Sequence, residues 1–168
     1  MTLLPTGTVL ELANFSLKSR LSRADWLRFG GYAEWNIVLD HKAHQLSRID
    51  LPAFESLLAA CSAAEYGHLL MTRYEEDSLQ FHKNSRRGWF LYLREPADGG
   101  ICLKNTDGSP DVQEDFRCTC GIDLEVSADT TLPLDQSCEV LRQFFRTGEL
   151  DKRYQWMDQL NRLDRPAG

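Results

Sequence analysis

The chain has 168 residues, 42% of them hydrophobic and 26% charged, with a formal net charge of −6. A chain of this length can bury a core without disulfides or metal, and no apolar run approaches the roughly 20 residues of a membrane helix. With no basic leader segment at its start, it is expected to be one cytoplasmic domain over residues 1–168, frayed from about residue 160.

The first half of the sequence alternates between strand and helix patterns. A short strand is expected near residues 9–12 and a short helix within 16–32, followed by a strand at Trp35–Asp40. Asp50 is a good N-cap residue, Pro52 suits a first helical turn, and Ile49 can pack on Phe54 as a hydrophobic staple. This helix carries an apolar stripe and ends near Gly67; its stripe is Phe54, Leu57, Leu58 and Cys61.

The middle of the chain reads as a β-meander. Four apolar segments are separated by turn signals such as Gly99-Gly100, which is the pattern of antiparallel hairpins. The predicted strands are Leu69–Tyr74, Leu79–His82, Trp89–Arg94 and Ile101–Leu103.

Residues 121–156 predict a strand, a turn and a capped helix. Ile122, Leu124 and Val126 alternate with acids, as in a strand with one solvated face. Asp135 is the expected N-cap and Gly148 the left-handed C-cap. The helix stripe is Leu134, Cys138, Leu141, Phe144 and Phe145. The element order predicts an α+β fold: a mainly antiparallel sheet of five to seven strands, with two or three helices on one face and the other face exposed.

The same segment resembles a known family. Its acidic strand, the Leu-Pro pair at 132–133, the run Phe144–Gly148 and Trp156 resemble the tail of immunity proteins from bacterial polymorphic toxin systems, of the deaminase-immunity type called immunity protein one. Upstream, Trp35–Asp40, the helix from Asp50 and the strands around Leu79 and Trp89 follow the expected order. The resemblance implies a non-enzymatic inhibitor in interbacterial competition, which binds a toxin domain and needs no cofactor.

The negative charge is concentrated in the segment Asp107–Asp129. This segment has seven acids and a single base, Arg117, so its excess equals the net charge of the whole chain. Concentrated negative charge attracts basic partners and speeds encounter with them. A solvated loop followed by a strand with one solvent-exposed face would have the same composition. The charge-based candidates for partner binding are Asp111, Glu114, Asp115, Asp123 and Glu125.

Other chemistry has weaker support in the sequence. Cys118 and Cys120 form a C-x-C without a second ligand pair at zinc-site spacing, and His41 with His44 is a poor metal signal. A catalytic Cys102–His82 pair would need two strands to meet. The basic segment Lys83–Arg87 before Trp89 could hold nucleic acid, but the acidic chain makes an ordinary charged hairpin tip the better interpretation.

Three functions remain as hypotheses. The first is toxin inhibition by stoichiometric occlusion. The second is a small enzyme that uses a histidine with a cysteine or carboxylate. The third is an adaptor or chaperone for a secreted effector. We expect no metal, cofactor, membrane or direct nucleic-acid partner; the oligomeric state does not follow from the sequence.

Overall fold

A computed structural model describes residues 35–47, 50–73, 77–93, 100–105, 107–117 and 123–158. Within these ranges lie ten strands and two α-helices. The strands are β1 (Trp35–Leu39), β2 (Lys42–Leu46), β3 (Gly67–Arg73), β4 (Asp77–Lys83), β5 (Arg87–Leu93), β6 (Ile101–Lys104), β7 (Gln113–Arg117), β8 (Asp123–Ser127), β9 (Thr131–Pro133) and β10 (Gln155–Asp158). The helices are α1 (Leu51–Ala63) and α2 (Leu134–Thr147).

Eight strands form one antiparallel sheet in the order β10-β6-β5-β4-β3-β1-β2, and β9 pairs with the start of β5. The strands β7 and β8 form a separate two-stranded hairpin. Together with the two helices, this arrangement confirms the predicted α+β class with a mainly antiparallel sheet, which has one strand more than the upper expectation.

The main core lies between one sheet face and both helices. Alternate residues of the central strands point into it, among them Ile37, Met71, Phe81 and Phe90. Phe54 of α1 stacks on Phe145 of α2 with ring centroids 4.1 Å apart. The helices are therefore joined to each other as well as to the sheet.

The helix ends partly confirm the sequence prediction. Gly148 has φ 71° and its N–H donates to the Phe144 carbonyl, as expected for a left-handed cap. The N-cap prediction for α2 is wrong, because Pro133 is the N-cap residue and Asp135 lies inside the first turn. Strand β9 runs directly into the helix, which leaves no turn in which Asp135 could cap it.

Helix α1 begins as expected after Asp50, but the Asp50 side chain does not cap the helix. Its Oδ2 atom instead accepts the Ser47 N–H at 2.9 Å. The opposite end of α1 is held by Lys83 of β4, whose ammonium donates to the Ser62 and Ala64 carbonyls. Lys83 is thus buried under the helix and does not belong to a charged hairpin tip.

The prediction of an exposed second sheet face is wrong at its centre. Val38, Thr72, His82, Trp89 and Cys102 point away from the helix core, yet each is at most 5% exposed. Strand β5 explains the error, since its Trp-Phe-Leu-Tyr-Leu run is apolar on both sides. Such runs are typical of strands buried on both faces.

Several predictions lie outside the described residues: the strand near 9–12, the helix within 16–32, the contact of Ile49 with Phe54, the C-x-C at Cys118 and Cys120, and the fraying from residue 160. Within the described ranges, neither helix has the length and hydropathy needed to cross a membrane.

Candidate functional site

Four of the five charge-based candidate residues lie on the β7–β8 hairpin, which we call the acidic hairpin. Its register pairs Asp115 with Glu125, Phe116 with Leu124 and Arg117 with Asp123. Because side chains alternate along each strand, the hairpin has two different faces. The inner face carries Glu114, Phe116, Leu124 and Val126, and the outer face carries the exposed side chains of Asp115, Arg117, Asp123 and Glu125.

Asn84, directly after β4, anchors the inner face. Its amide Nδ2 donates to Glu114 Oε2 at 3.1 Å and to the Asp115 carbonyl at 3.2 Å. Its Oδ1 atom accepts the backbone N–H groups of Arg86 and Arg87 at 2.9 and 2.7 Å. One buried side chain therefore shapes the β4–β5 turn and fixes the acidic hairpin to it.

Glu114 gains a second partner at this anchor, since Arg86 Nη2 lies 3.5 Å from Glu114 Oε1. The carboxylate is nearly buried while the guanidinium is 75% exposed. Phe116, which is 0% exposed, completes the inner face. A buried aromatic ring and a bonded carboxylate together hold the acidic hairpin to the fold.

A second anchor joins the acidic hairpin to Tyr66, the residue before β3. The Arg117 guanidinium lies over the Tyr66 ring, 5.5 Å from its centroid. This contact borders a cleft of about 400 Å³, lined by Tyr66, Asp115, Phe116, Arg117, Asp123, Leu124 and Glu125. Three of the seven lining residues are acids, so the cleft suits a basic group.

The outer face concentrates unpaired negative charge. Among the described residues, Asp115, Asp123 and Glu125 make no salt bridge. Asp115 and Glu125 stand directly opposite each other, an arrangement in which like charges destabilise a strand pair. The folded chain thus presents carboxylates whose repulsion an incoming cation would relieve.

The loop before β7 extends this surface. Asp111 is exposed, and the adjacent Val112 is 49% exposed although it is apolar. The Val112 carbonyl accepts the Ala128 N–H at 2.8 Å, so the loop is tied to the residues that follow β8. An apolar side chain beside carboxylates gives the surface both kinds of contact that protein interfaces use.

In a comparison with protein families, the family model Immunity protein Imm1 matches residues 55–158. This range covers more than half of the chain and includes α1 from Glu55 onward, the acidic hairpin and α2. The chain belongs to the Immunity protein Imm1 family. The resemblance inferred from the sequence is thereby confirmed. Comparison with curated proteins gives no match.

For this Imm1 member, the structure separates the five candidate residues. Asp115, Asp123 and Glu125 lie together on the outer face, and Asp111 is exposed in the preceding loop. Glu114 points inward and is 7% exposed. The charge pattern indicated the acidic segment as a candidate but could not distinguish inward from outward carboxylates, because a single residue of register decides which carboxylate turns inward.

Sequence reasoning missed Tyr66 and Asn84 as supports of the acidic hairpin. Tyr66 lies between a helix and a strand with no pattern of its own. For Asn84 a signal existed, since an Asn that opens an Asn-Ser-Arg-Arg turn commonly accepts backbone N–H groups two or three residues later. The side-chain N–H groups of Asn84 then remain available as donors to the acidic hairpin.

The alternative chemistries find little geometric support in this Imm1 chain. Strand β5 lies between His82 on β4 and Cys102 on β6, so the proposed pair does not meet. In the described ranges no group of three or more His, Cys, Asp or Glu residues could hold a metal ion. Arg87 belongs to the basic segment considered for nucleic-acid binding. Its guanidinium already donates to the Thr131 hydroxyl and carbonyl at 2.5 and 3.0 Å.

A second cleft lies at the C-terminal end of α2. It has a volume of about 600 Å³ and is lined by Tyr92, Gly148, Glu149, Leu150, Lys152, Tyr154 and Trp156. Neither cleft is lined by a histidine or a cysteine. Within the described ranges, the acidic hairpin combines exposed charge with anchoring to the sheet.

Proposed function

We propose that this chain is a cytoplasmic immunity protein that neutralises a toxin domain of a polymorphic toxin system by stoichiometric occlusion. The toxin is deaminase-like or otherwise acts on nucleic acid, and the outer face of the acidic hairpin is the contact surface. Membership of the immunity-protein family supports the role. The observation that carries the choice of surface is that the exposed carboxylates of Asp115, Asp123 and Glu125 form no salt bridge within the described part of the chain.

Charge complementarity supports a toxin that acts on nucleic acid. Such a protein needs basic residues to hold the phosphate backbone of its substrate. A rigid acidic surface that covers those residues competes with the substrate directly, and its field also speeds association. No turnover or cofactor is required for this mechanism.

The anchoring of the acidic hairpin supports tight binding. Asn84 and Phe116 fix the inner face, so the outer carboxylates are displayed from a strand and not from a loose loop. Preorganised groups lose less conformational entropy on association, which leaves more of the interaction energy as affinity. We assign Val112 as an apolar contact within this polar surface.

A charge-reversal experiment tests the surface. Because Glu125 is exposed and unpaired among the described residues, Glu125→Lys should leave folding intact and weaken toxin binding about tenfold, or about 1.4 kcal/mol. The remaining affinity should depend less on salt. The measurement is calorimetric titration against the toxin domain encoded beside this gene, at low and moderate ionic strength.

The matched control is Glu149→Lys, which makes the same change of charge on an exposed residue after α2. Equal affinities and salt slopes for the two variants would reject the acidic hairpin as the contact surface. Glu114 is unsuitable for this test, since its reversal would break the Asn84 anchor.

Co-expression tests the function itself. The neighbouring gene product should be toxic alone and harmless in the presence of this chain. Binding without any toxicity to suppress would favour the adaptor hypothesis. Turnover of a small molecule by the purified chain, abolished by replacing His82 or Cys102, would favour the enzyme.

A further inference from the structure

Two histidines lie side by side on neighbouring central strands of the sheet, one residue from the strand ends. His68 of β3 is the register partner of His82 of β4, and their rings stack with centroids 4.3 Å apart and an interplanar angle of 15°. The Trp89 ring of β5 lies 5.7 Å beyond His82. His82 is 5% exposed; His68 is partly exposed, although its Nε2 atom is buried.

The surroundings of both imidazoles disfavour the protonated form. His68 Nε2 and His82 Nδ1 are buried and have no hydrogen-bond partner among the residues that the structure describes. Burial, followed by the charge of His68, lowers the pKa of His82 to about 3. Burial also lowers the pKa of His68, although Asp40 acts in the opposite direction. Both rings are therefore neutral in the folded chain at pH 7.

The charged groups around the pair come from three described elements. The turn between β1 and β2 contributes Asp40, whose Oδ1 accepts the backbone N–H of His68 at 3.1 Å, and the exposed His41. On β4, the Lys83 side chain points to the opposite sheet face.

The acidic hairpin contributes Glu114 and Arg117, which reach this end of the sheet through Asn84 and Tyr66. Strand β5 contributes Trp89, which has no charge.

The position of the pair links it to the acidic hairpin. Tyr66 lies two residues before His68, and Asn84 lies two residues after His82. Tyr66 holds Arg117, and Asn84 holds Glu114 and the Asp115 carbonyl. Both described anchors of the acidic hairpin therefore extend from the two strand ends that the histidines join.

We propose that the stacked His68–His82 pair is a proton-sensitive support of the acidic hairpin. While both rings are neutral, the ends of β3 and β4 stay together and present Tyr66 and Asn84 in register. A proton on either ring places a charge where the folded chain disfavours it, and this end of the sheet opens more often. The consequence for toxin binding rests on the proposed function, whereas the opening itself does not.

The sign of the pH effect follows from linkage. The folded state holds these imidazoles below their ordinary pKa of 6.5, so an opened state binds the proton more readily. Opening is unaffected well above pH 6.5 and becomes more frequent as the pH falls below it. For one such histidine, the opening equilibrium at pH 5.5 is about tenfold larger than at pH 7.5.

Hydrogen exchange measures this opening in the free chain. Amides of 113–117 and 123–127, corrected for the intrinsic pH dependence of exchange, should lose about tenfold protection between pH 7.5 and 5.5. The variant His68→Phe/His82→Phe retains two stacked aromatic rings without titratable groups and should abolish the loss. The control His41→Asn removes an exposed histidine of the neighbouring turn and should behave as the parent chain does.

An equal loss of protection in the parent and in the double phenylalanine variant would overturn the proposal. If that variant does not fold, NMR titration of the parent imidazoles decides, and a pKa at or above 6.5 for both rings refutes the mechanism. If the parent chain shows the pH effect but Glu125→Lys leaves toxin binding unchanged, the proton-sensitive support is upheld and the proposed contact surface is rejected.

Discussion

At the scale of single residues, Glu114 and Asp115 show how little chemical identity determines role. They are adjacent acids on β7, but one is 7% exposed and bonded to Asn84 while the other faces outward. The strand period alone makes the difference. From the sequence both were candidates for partner binding, and only the register separates a structural carboxylate from a surface one.

This difference can be measured. Glu114→Ala leaves the buried Asn84 amide without one acceptor and should lower the free energy of unfolding by about 1–3 kcal/mol. Asp115→Ala removes an exposed charge and should change it by less than about 1 kcal/mol, towards greater stability if at all. Urea unfolding of the two variants is the test; equal destabilisation would contradict the two-sided description of the acidic hairpin.

At the scale of elements, the contact between α1 and α2 combines an aromatic stack with an ion pair. Phe145 stacks on Phe54, and its carbonyl accepts the Trp35 indole N–H at 2.9 Å. Arg142 donates to both carboxylate oxygens of Glu55 at 2.7 and 3.1 Å, with side chains 30% and 40% exposed. The aromatic stack is buried and the ion pair is partly solvated, so the stack should contribute more to the free energy of unfolding.

We expect Phe145→Ala to cost about 3–5 kcal/mol, because it removes a buried ring from both Phe54 and Trp35. Arg142→Ala should cost less than about 1 kcal/mol, as is usual for partly exposed ion pairs. Chemical denaturation of the two variants compares them under the same conditions. A larger loss for Arg142→Ala would mean that the ion pair organises the helices.

The elements that sequence analysis recovered are those with strong periodicity. Helix α2 was located by its apolar stripe and by Gly148. Strands β2 and β7 were missed because Lys-Ala-His-Gln-Leu and Gln-Glu-Asp-Phe-Arg contain too few apolar residues to show alternation. Their strand conformation depends on pairing with β1 and β8, which a local pattern does not contain.

At the scale of the whole molecule, the sheet depends on residues that precede the family match. The match begins at residue 55, while β1 at Trp35–Leu39 pairs with β3 along its full length. Trp35 and Ile37 of β1 are buried in the main core. Strand order could not be derived from the sequence, since neighbours such as β1 and β3 are separated by a strand and a helix.

A fragment that begins at Ser47 should therefore lose its cooperative unfolding transition or self-associate, because β3 becomes an edge that exposes Leu69 and Met71. Circular dichroism during urea titration and size-exclusion chromatography measure both outcomes. The full chain measured in parallel is the control. An unchanged transition midpoint in a monomeric fragment would show that β1 is dispensable.

The facing acids Asp115 and Glu125 have one more consequence. If partner binding relieves their repulsion, selection for thermal robustness alone would favour neutral residues at these positions and would erode recognition. Engineered variants chosen only for a higher melting temperature should therefore drift towards weaker protection, as expected where a binding surface is kept at a cost to the free molecule.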